Sequence, residues 1–110
     1  MKNPEFHIGE LVTLTNKTKR EVVNRGIADF ISEPSELYNY ISKIFIIVHR
    51  EIKLNANKNK DVYMYKLRYY NNNIPDKLMD IIHSCSFEEA TLNRYYESFL
   101  RQWEVVCQEQ

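Results

Sequence analysis

A chain of 110 residues with 15 Lys+Arg against 15 Asp+Glu, 44% hydrophobic content and two cysteines has the size and balance of one soluble globular domain spanning 1–110. Only two glycines are present, too few for a Gly-rich phosphate-binding loop or a collagen-like repeat. The neutral total conceals a division: residues 1–70 carry 12 basic and 8 acidic side chains, a surplus of +4, whereas residues 71–110 carry 3 and 7, a surplus of −4, and so even a balance argues against a protein dedicated to duplex nucleic acid.

Ile8, Val12 and Leu14 alternate after a turn-prone Gly9, which predicts a strand over 10–15. The polar run Asn16–Arg20 ends it, and Thr18-x-x-Glu21 has the spacing of a capping box that opens a helix over 19–31, with Val22, Val23, Ile27, Phe30 and Ile31 near the helical period. Gly26 weakens that helix by roughly 1 kcal/mol relative to Ala. Pro34 suits the first turn of a second helix over about 35–42, where Leu37, Tyr40, Ile41 and Ile44 recur at spacings of three and four.

The clearest tertiary signal is a hairpin, Ile44–Leu54 and Asp61–Tyr70, joined by the polar loop Asn55–Lys60. A symmetric loop pairs Ile46 with Tyr69, Val48 with Leu67, Arg50 with Tyr65 and Ile52 with Tyr63, and this is the expected core face. The opposite face then pairs Phe45 with Tyr70, Ile47 with Arg68, His49 with Lys66, Glu51 with Met64 and Lys53 with Val62; a slip of one residue would exchange the two faces. After the turn Asn71–Asn73, Pro75 opens a short helix whose buried side is Leu78, Met79, Ile81 and Ile82, ended by Ser84-Cys85. Ser86-x-x-Glu89 repeats the capping spacing, and Leu92, Tyr96, Phe99, Trp103 and Val106 follow at steps of four and three, predicting a C-terminal helix over 87–107 that packs on the sheet. The expected fold is therefore α+β, a small antiparallel sheet packed against a C-terminal helix and shorter helices.

The longest uninterrupted aliphatic or aromatic run, Ile44–Val48, falls far short of the roughly 20 residues of a membrane span, and the N-terminus meets Glu5 where a signal peptide needs apolar residues, so a cytoplasmic chain with reduced Cys85 and Cys107 is expected. His7, His49 and His83 are scattered and no Gly-x-Ser-x-Gly accompanies them, so no nucleophile stands out. His83-x-Cys85 with Cys107 lacks the paired spacing of a structural zinc site, and Glu88-Glu89 reads as acids near a helix start; no cofactor or metal is expected. What remains is a basic set, His49, Lys53, Lys58, Lys60, Lys66 and Arg68, expected to form one hairpin face with Tyr70 and Phe45, a combination that suits an acidic protein surface or a single-stranded nucleic acid.

Phe6-x-Ile8-Gly9-Glu10-Leu11-Val12-x-Leu14 resembles the first strand of the small SH3-like barrels found among phage and bacterial accessory proteins, and Ser86-Phe87-Glu88-Glu89-Ala90-Thr91-Leu92 is similar to the segment after their last long strand. The chain departs from them in carrying residues 16–43 as a helix-like insertion and in its C-terminal helix. The resemblance implies binding, with no catalytic residue to carry over. Usage rich in Asn and Ile (11 each), Lys (9) and Tyr (8) and poor in Ala (3) points to an AT-rich coding sequence of the kind such elements share. The expected function is a non-enzymatic phage or mobile-element accessory protein that binds and modulates a host protein or complex, in particular a defence complex. The alternative is a nucleic-acid-binding module using the basic hairpin face; homodimerisation through the Leu92–Val106 stripe or an edge strand is compatible with both.

Overall fold

The structure, a computed structural model, describes residues 3–24, 34–55, 60–71 and 73–95. Strand β1 (Leu11–Leu14) leads into helix α1 (Asn16–Asn24), and α2 (Pro34–Ile41) precedes the long hairpin strands β2 (Phe45–Asn55) and β3 (Lys60–Tyr69). Helix α3 (Asp76–Ser84), the short strand β4 (Phe87–Glu88), a one-turn 3₁₀ segment at Glu89–Thr91 and β5 (Leu92–Arg94) complete the described elements. The five strands form one antiparallel sheet in the order β4-β3-β2-β1-β5. The fold is thus α+β, as the patterning indicated.

Local chemistry accounts for most boundaries. In β1, Val12 and Leu14 point into the core and their neighbours outward. Ile8 does not continue that alternation: Gly9 sits at φ +93°, a turn geometry that glycine adopts without strain, and Ile8 is left 63% exposed while Phe6 becomes the buried residue. Helix α1 starts earlier than expected because Thr15, not Thr18, supplies the cap: its hydroxyl accepts the Thr18 N–H at 3.3 Å and its carbonyl the Lys19 N–H at 3.0 Å. The expected continuation of this helix through residues 25–31 lies outside the described residues. Helix α2 begins at Pro34 and is closed by Ser42, whose hydroxyl and N–H both donate to the Tyr38 carbonyl. Helix α3 buries Leu78 and Ile82, one turn apart, with Met79 and Ile81 half-buried beside them.

Two expectations are corrected. From His49 to Asn55 the hairpin has the predicted register, with Arg50 opposite Tyr65 and Ile52 opposite Tyr63. Towards the hairpin root the register shifts by one, so that Phe45 faces Tyr69, Ile46 faces Arg68 and Ile47 faces Leu67. Val48 is the extra residue of a β-bulge, and it reverses the sidedness of everything before it. Phe45 and Ile47 are therefore core residues (0% and 1% exposed), while Ile46 and Val48, expected inside, are not.

The second correction concerns residues 87–94, which form β4, the 3₁₀ turn and β5 rather than the start of a helix. The Glu89 carboxylate does not turn back to cap a helix; it accepts hydrogen bonds from the Tyr65 hydroxyl and the Glu5 N–H. The Thr91 carbonyl accepts from Thr15 N–H, its hydroxyl donates to the Glu88 carbonyl, and Leu92 pairs with Leu14 on the buried side of the sheet. Long-range pairing overrides the local signal. Tyr96, Phe99, Trp103 and Val106 lie outside the described residues.

The core joins Val12, Leu14, Leu37, Ile41 and Leu92 to Phe45, Ile47, Tyr65, Leu67, Tyr69, Leu78 and Ile82. Phe6 closes it from above, its ring edge-on to Tyr65 at 5.7 Å, and Phe45 packs on Tyr69 at 4.5 Å. The bulge makes a sharp prediction for urea unfolding. Ile47→Ala should cost about 2–5 kcal/mol and Val48→Ala less than about 1 kcal/mol; the opposite order would place the bulge elsewhere.

Candidate functional site

Beyond the bulge, directly opposed residues share a face, which sorts the outer hairpin into two surfaces. One carries His49 with Lys66, Glu51 with Met64, Lys53 with Val62, and Lys60, and continues at the root with Ile46 opposite Arg68. His49, Lys53, Lys60, Arg68 and Tyr70 are exposed, and Lys66 is half-buried. The structure thus brings His49, Lys53, Lys60, Lys66 and Arg68 together on one side of two adjacent strands. Tyr70 follows at the bend after β3, 57% exposed, with its N–H bonded to the Ile44 carbonyl at 3.0 Å. Lys58 lies outside the described residues. Phe45 and Ile47, expected here, are removed by the bulge, and Ile46 takes the place opposite Arg68.

Between the cations lie Ile46, Val62 and Met64, all half-buried. Two acids share this face: Glu88 of β4, directly opposite Met64, and Glu51, which forms an ion pair with Lys53 at 3.4 Å, an exposed contact of little energetic weight. Lys60, Lys66 and Arg68 enter no ion pair among the described residues. The face therefore carries more cations than acids, with Lys53, Lys60, Lys66 and Arg68 against Glu51 and Glu88.

A second polar cluster, which the sequence did not signal, lies on the other face at the edge of the core. Arg50 and Tyr65 are cross-strand partners there, and both reach the segment 5–7 that crosses above them. The Arg50 guanidinium donates to the Phe6 carbonyl at 3.1 Å and lies 3.4 Å from His7 Nδ1. The buried Tyr65 hydroxyl donates to Glu89 at 2.5 Å, and the Phe6 N–H approaches its oxygen at 3.4 Å. Burial, reinforced by the Glu89 carboxylate, pushes the Tyr65 hydroxyl well above its ordinary pKa. Arg94 donates to the Glu5 carbonyl and lies over the Phe6 ring. These groups hold the N-terminal segment against the hairpin. Their partners are 24 to 89 residues apart, so no local spacing could have marked them.

His83, a residue without the spacing of a zinc ligand, has a structural position: its Nε2 accepts the Tyr69 N–H at 3.2 Å. Its pKa is lowered, first by burial and then by nearby Arg68, with Asp80 opposing. His7 sits beside Arg50 and His49 faces Lys66, so the three histidines occupy three separate settings. Cys85 is a free, half-buried thiol, while Cys107 lies outside the described residues. Among the described residues no three His, Cys, Asp or Glu side chains are grouped to hold a metal ion, and no helix is long and apolar enough to cross a membrane. A shallow cleft of about 280 Å³ is lined by Glu10, Leu11, Arg94 and Tyr95. It is at or below the small end of cofactor and drug-sized sites.

No protein-family model matches the chain, and neither a curated protein nor a solved structure shows significant similarity to it. The hairpin surface itself is the guide to function.

Two measurements test the polar groups. Tyr65→Phe removes the hydroxyl from both Glu89 and Phe6 and should cost about 1–3 kcal/mol in urea unfolding, with no change in the fold by circular dichroism. For His83 the folded state favours the neutral ring, so its contribution is complete above the ordinary value of 6.5 and is lost as pH falls towards the lowered folded value. Wild-type stability should therefore fall more steeply than that of His83→Gln on moving from neutral to mildly acidic pH; parallel curves would exclude the His83–Tyr69 bond as the cause.

Proposed function

We propose that this chain is a non-enzymatic binding protein whose hairpin face docks on an acidic protein surface. The carrying observation is the interleaving of half-buried Ile46, Val62 and Met64 with His49, Lys53, Lys60, Lys66 and Arg68 on two neighbouring strands. Apolar side chains, methionine among them, suit the dry centre of a protein interface, and cations around them supply steering and register. A single-stranded nucleic acid would call for successive aromatic platforms, and this face exposes only Tyr70 among its described residues. Protein is therefore favoured over nucleic acid.

The architecture supports the SH3-like reading. β2 pairs with β1, which carries on to β5, and with β3, which carries on to β4; the bulge at Val48 lies where the two halves diverge. A long strand bent at a bulge and shared between two halves is how small barrels turn their corners. Together with the AT-rich usage, this favours a cytoplasmic phage or mobile-element accessory protein that modulates a host complex, a defence complex being the leading setting.

The test is an affinity pull-down of the tagged chain from lysate of a low-GC bacterium, with and without nuclease, alongside Lys66→Glu/Arg68→Glu checked for an unchanged melting profile. A stoichiometric protein that survives nuclease and is lost with the double variant is the expected result. Recovery of nucleic acid alone, abolished by the double variant, would transfer the same face to nucleic-acid binding. Capture unaffected by the variant would place the interface elsewhere.

A further inference from the structure

The outer edge of β2 is unpaired among the described residues. β1 covers β2 only at Phe45 and Ile46, and the Gly9 and Glu10 backbone groups extend that cover to Ile47. From His49 to Asn55 the strand is paired on one side alone, with β3. Native proteins blunt such edges because the bare N–H and C=O groups recruit another strand. Here the edge also carries Ile52 and Leu54, 54% and 67% exposed, on the face that is core at the hairpin root.

From this edge we infer that two copies of the chain associate through antiparallel pairing of β2 with β2, with the twofold axis at Ile52. The register follows from charge. Directly opposed residues in antiparallel strands share a face, so a twofold pairing must place one residue opposite itself. Centred on Glu51 it sets acid against acid, and centred on Lys53 it sets ammonium against ammonium. Centred on Ile52 it sets Glu51 of each copy against Lys53 of the other, twice, with Ile52 on Ile52 and Leu54 beside Arg50 on the apolar face. The paired stretch runs from 49 to 55 in each copy and stops where β1 already occupies the edge.

The axis is perpendicular to the joined sheet, so the two basic faces come to lie on the same side. The dimer thereby presents His49, Lys60, Lys66 and Arg68 in two copies, with the Glu51 and Lys53 charges neutralising each other at the centre. This inference rests on the β2 edge and on charge register, and it stands whether or not the basic face meets a protein.

Sedimentation velocity over a concentration series tests it, using wild type, Glu51→Lys and Lys53→Glu, each with its thermal melt. Wild type should dimerise. Each single variant turns two attractive cross-strand contacts into two repulsive ones and should raise the dimer dissociation constant about tenfold or more. An equimolar mixture of the two variants restores both opposite-charge contacts and should form a mixed dimer with near wild-type affinity. A wild type that remains monomeric up to about 1 mM would overturn the inference, as would a dimer that neither substitution weakens. The pull-down with Lys66→Glu/Arg68→Glu reads the basic face separately, so failure of one reading is distinguishable from failure of the other.

Discussion

Strand side chains alternate with a period of two, so the single unpaired residue Val48 exchanges the faces of β2 part-way along its length. Much of the molecule follows from that exchange. On the root side it turns Phe45 and Ile47 inward, where they meet Tyr69 and Leu67 and complete the core against α2 and α3. On the tip side it sets Arg50, not His49, above the core rim, and so provides the guanidinium that the crossing N-terminal segment requires. Without the extra residue an apolar pattern running straight through β2 would bury Ile46 and Val48, and the cations of the tip would pair with a different surface of the root.

The N-terminal segment shows how a polar cluster substitutes for missing sheet pairing. Its backbone crosses above the hairpin instead of joining it, which leaves peptide groups to be satisfied by side chains. Arg50 takes the Phe6 carbonyl, Arg94 the Glu5 carbonyl, and Glu89 the Glu5 N–H, with the Tyr65 hydroxyl bonded to the same carboxylate. Phe6 adds the apolar contact beneath. Because Glu89 and Arg94 belong to the segment running from β4 to β5, the same contacts that hold the N-terminus also tie down residues 87–94.

What the sequence made legible follows the range of the interactions involved. The hairpin was readable from β-branched and aromatic content, and its tip register from the symmetry of a polar loop. The five described basic residues shared a predicted face because each lies on β3 or on the tip side of the bulge, where alternation counted from the loop is undisturbed. Phe45 and Ile47 lie beyond it and were placed on the wrong side; nothing in the composition of Ile44–Val48 distinguishes the bulged residue from its neighbours. Residues 87–94 were misread for a different reason. Ser86-x-x-Glu89 and the stripe after it describe a local competition, whereas Leu14–Leu92 pairing and the Thr15–Thr91 bond act across almost the whole chain.

The distribution of order along the hairpin bears on its function. At the root, β1 flanks β2 at Phe45 and Ile46; further out β4 flanks β3 at Met64 and Tyr65, and β3 packs on α3. Past Glu51 the described strands are a two-stranded ribbon, an arrangement only marginally stable alone in water. The ribbon is held in register by continuity with the root and by Tyr63, which packs against the core, yet Ile52 and Leu54 on the same side stay exposed. Such a projection costs little to form because its root is already fixed, and it leaves charged, apolar and backbone groups uncompensated in one place. A surface of that kind gains stability when another molecule supplies the missing neighbours. The same geometry that leaves Ile52 and Leu54 exposed is what the proposed association through β2 would use.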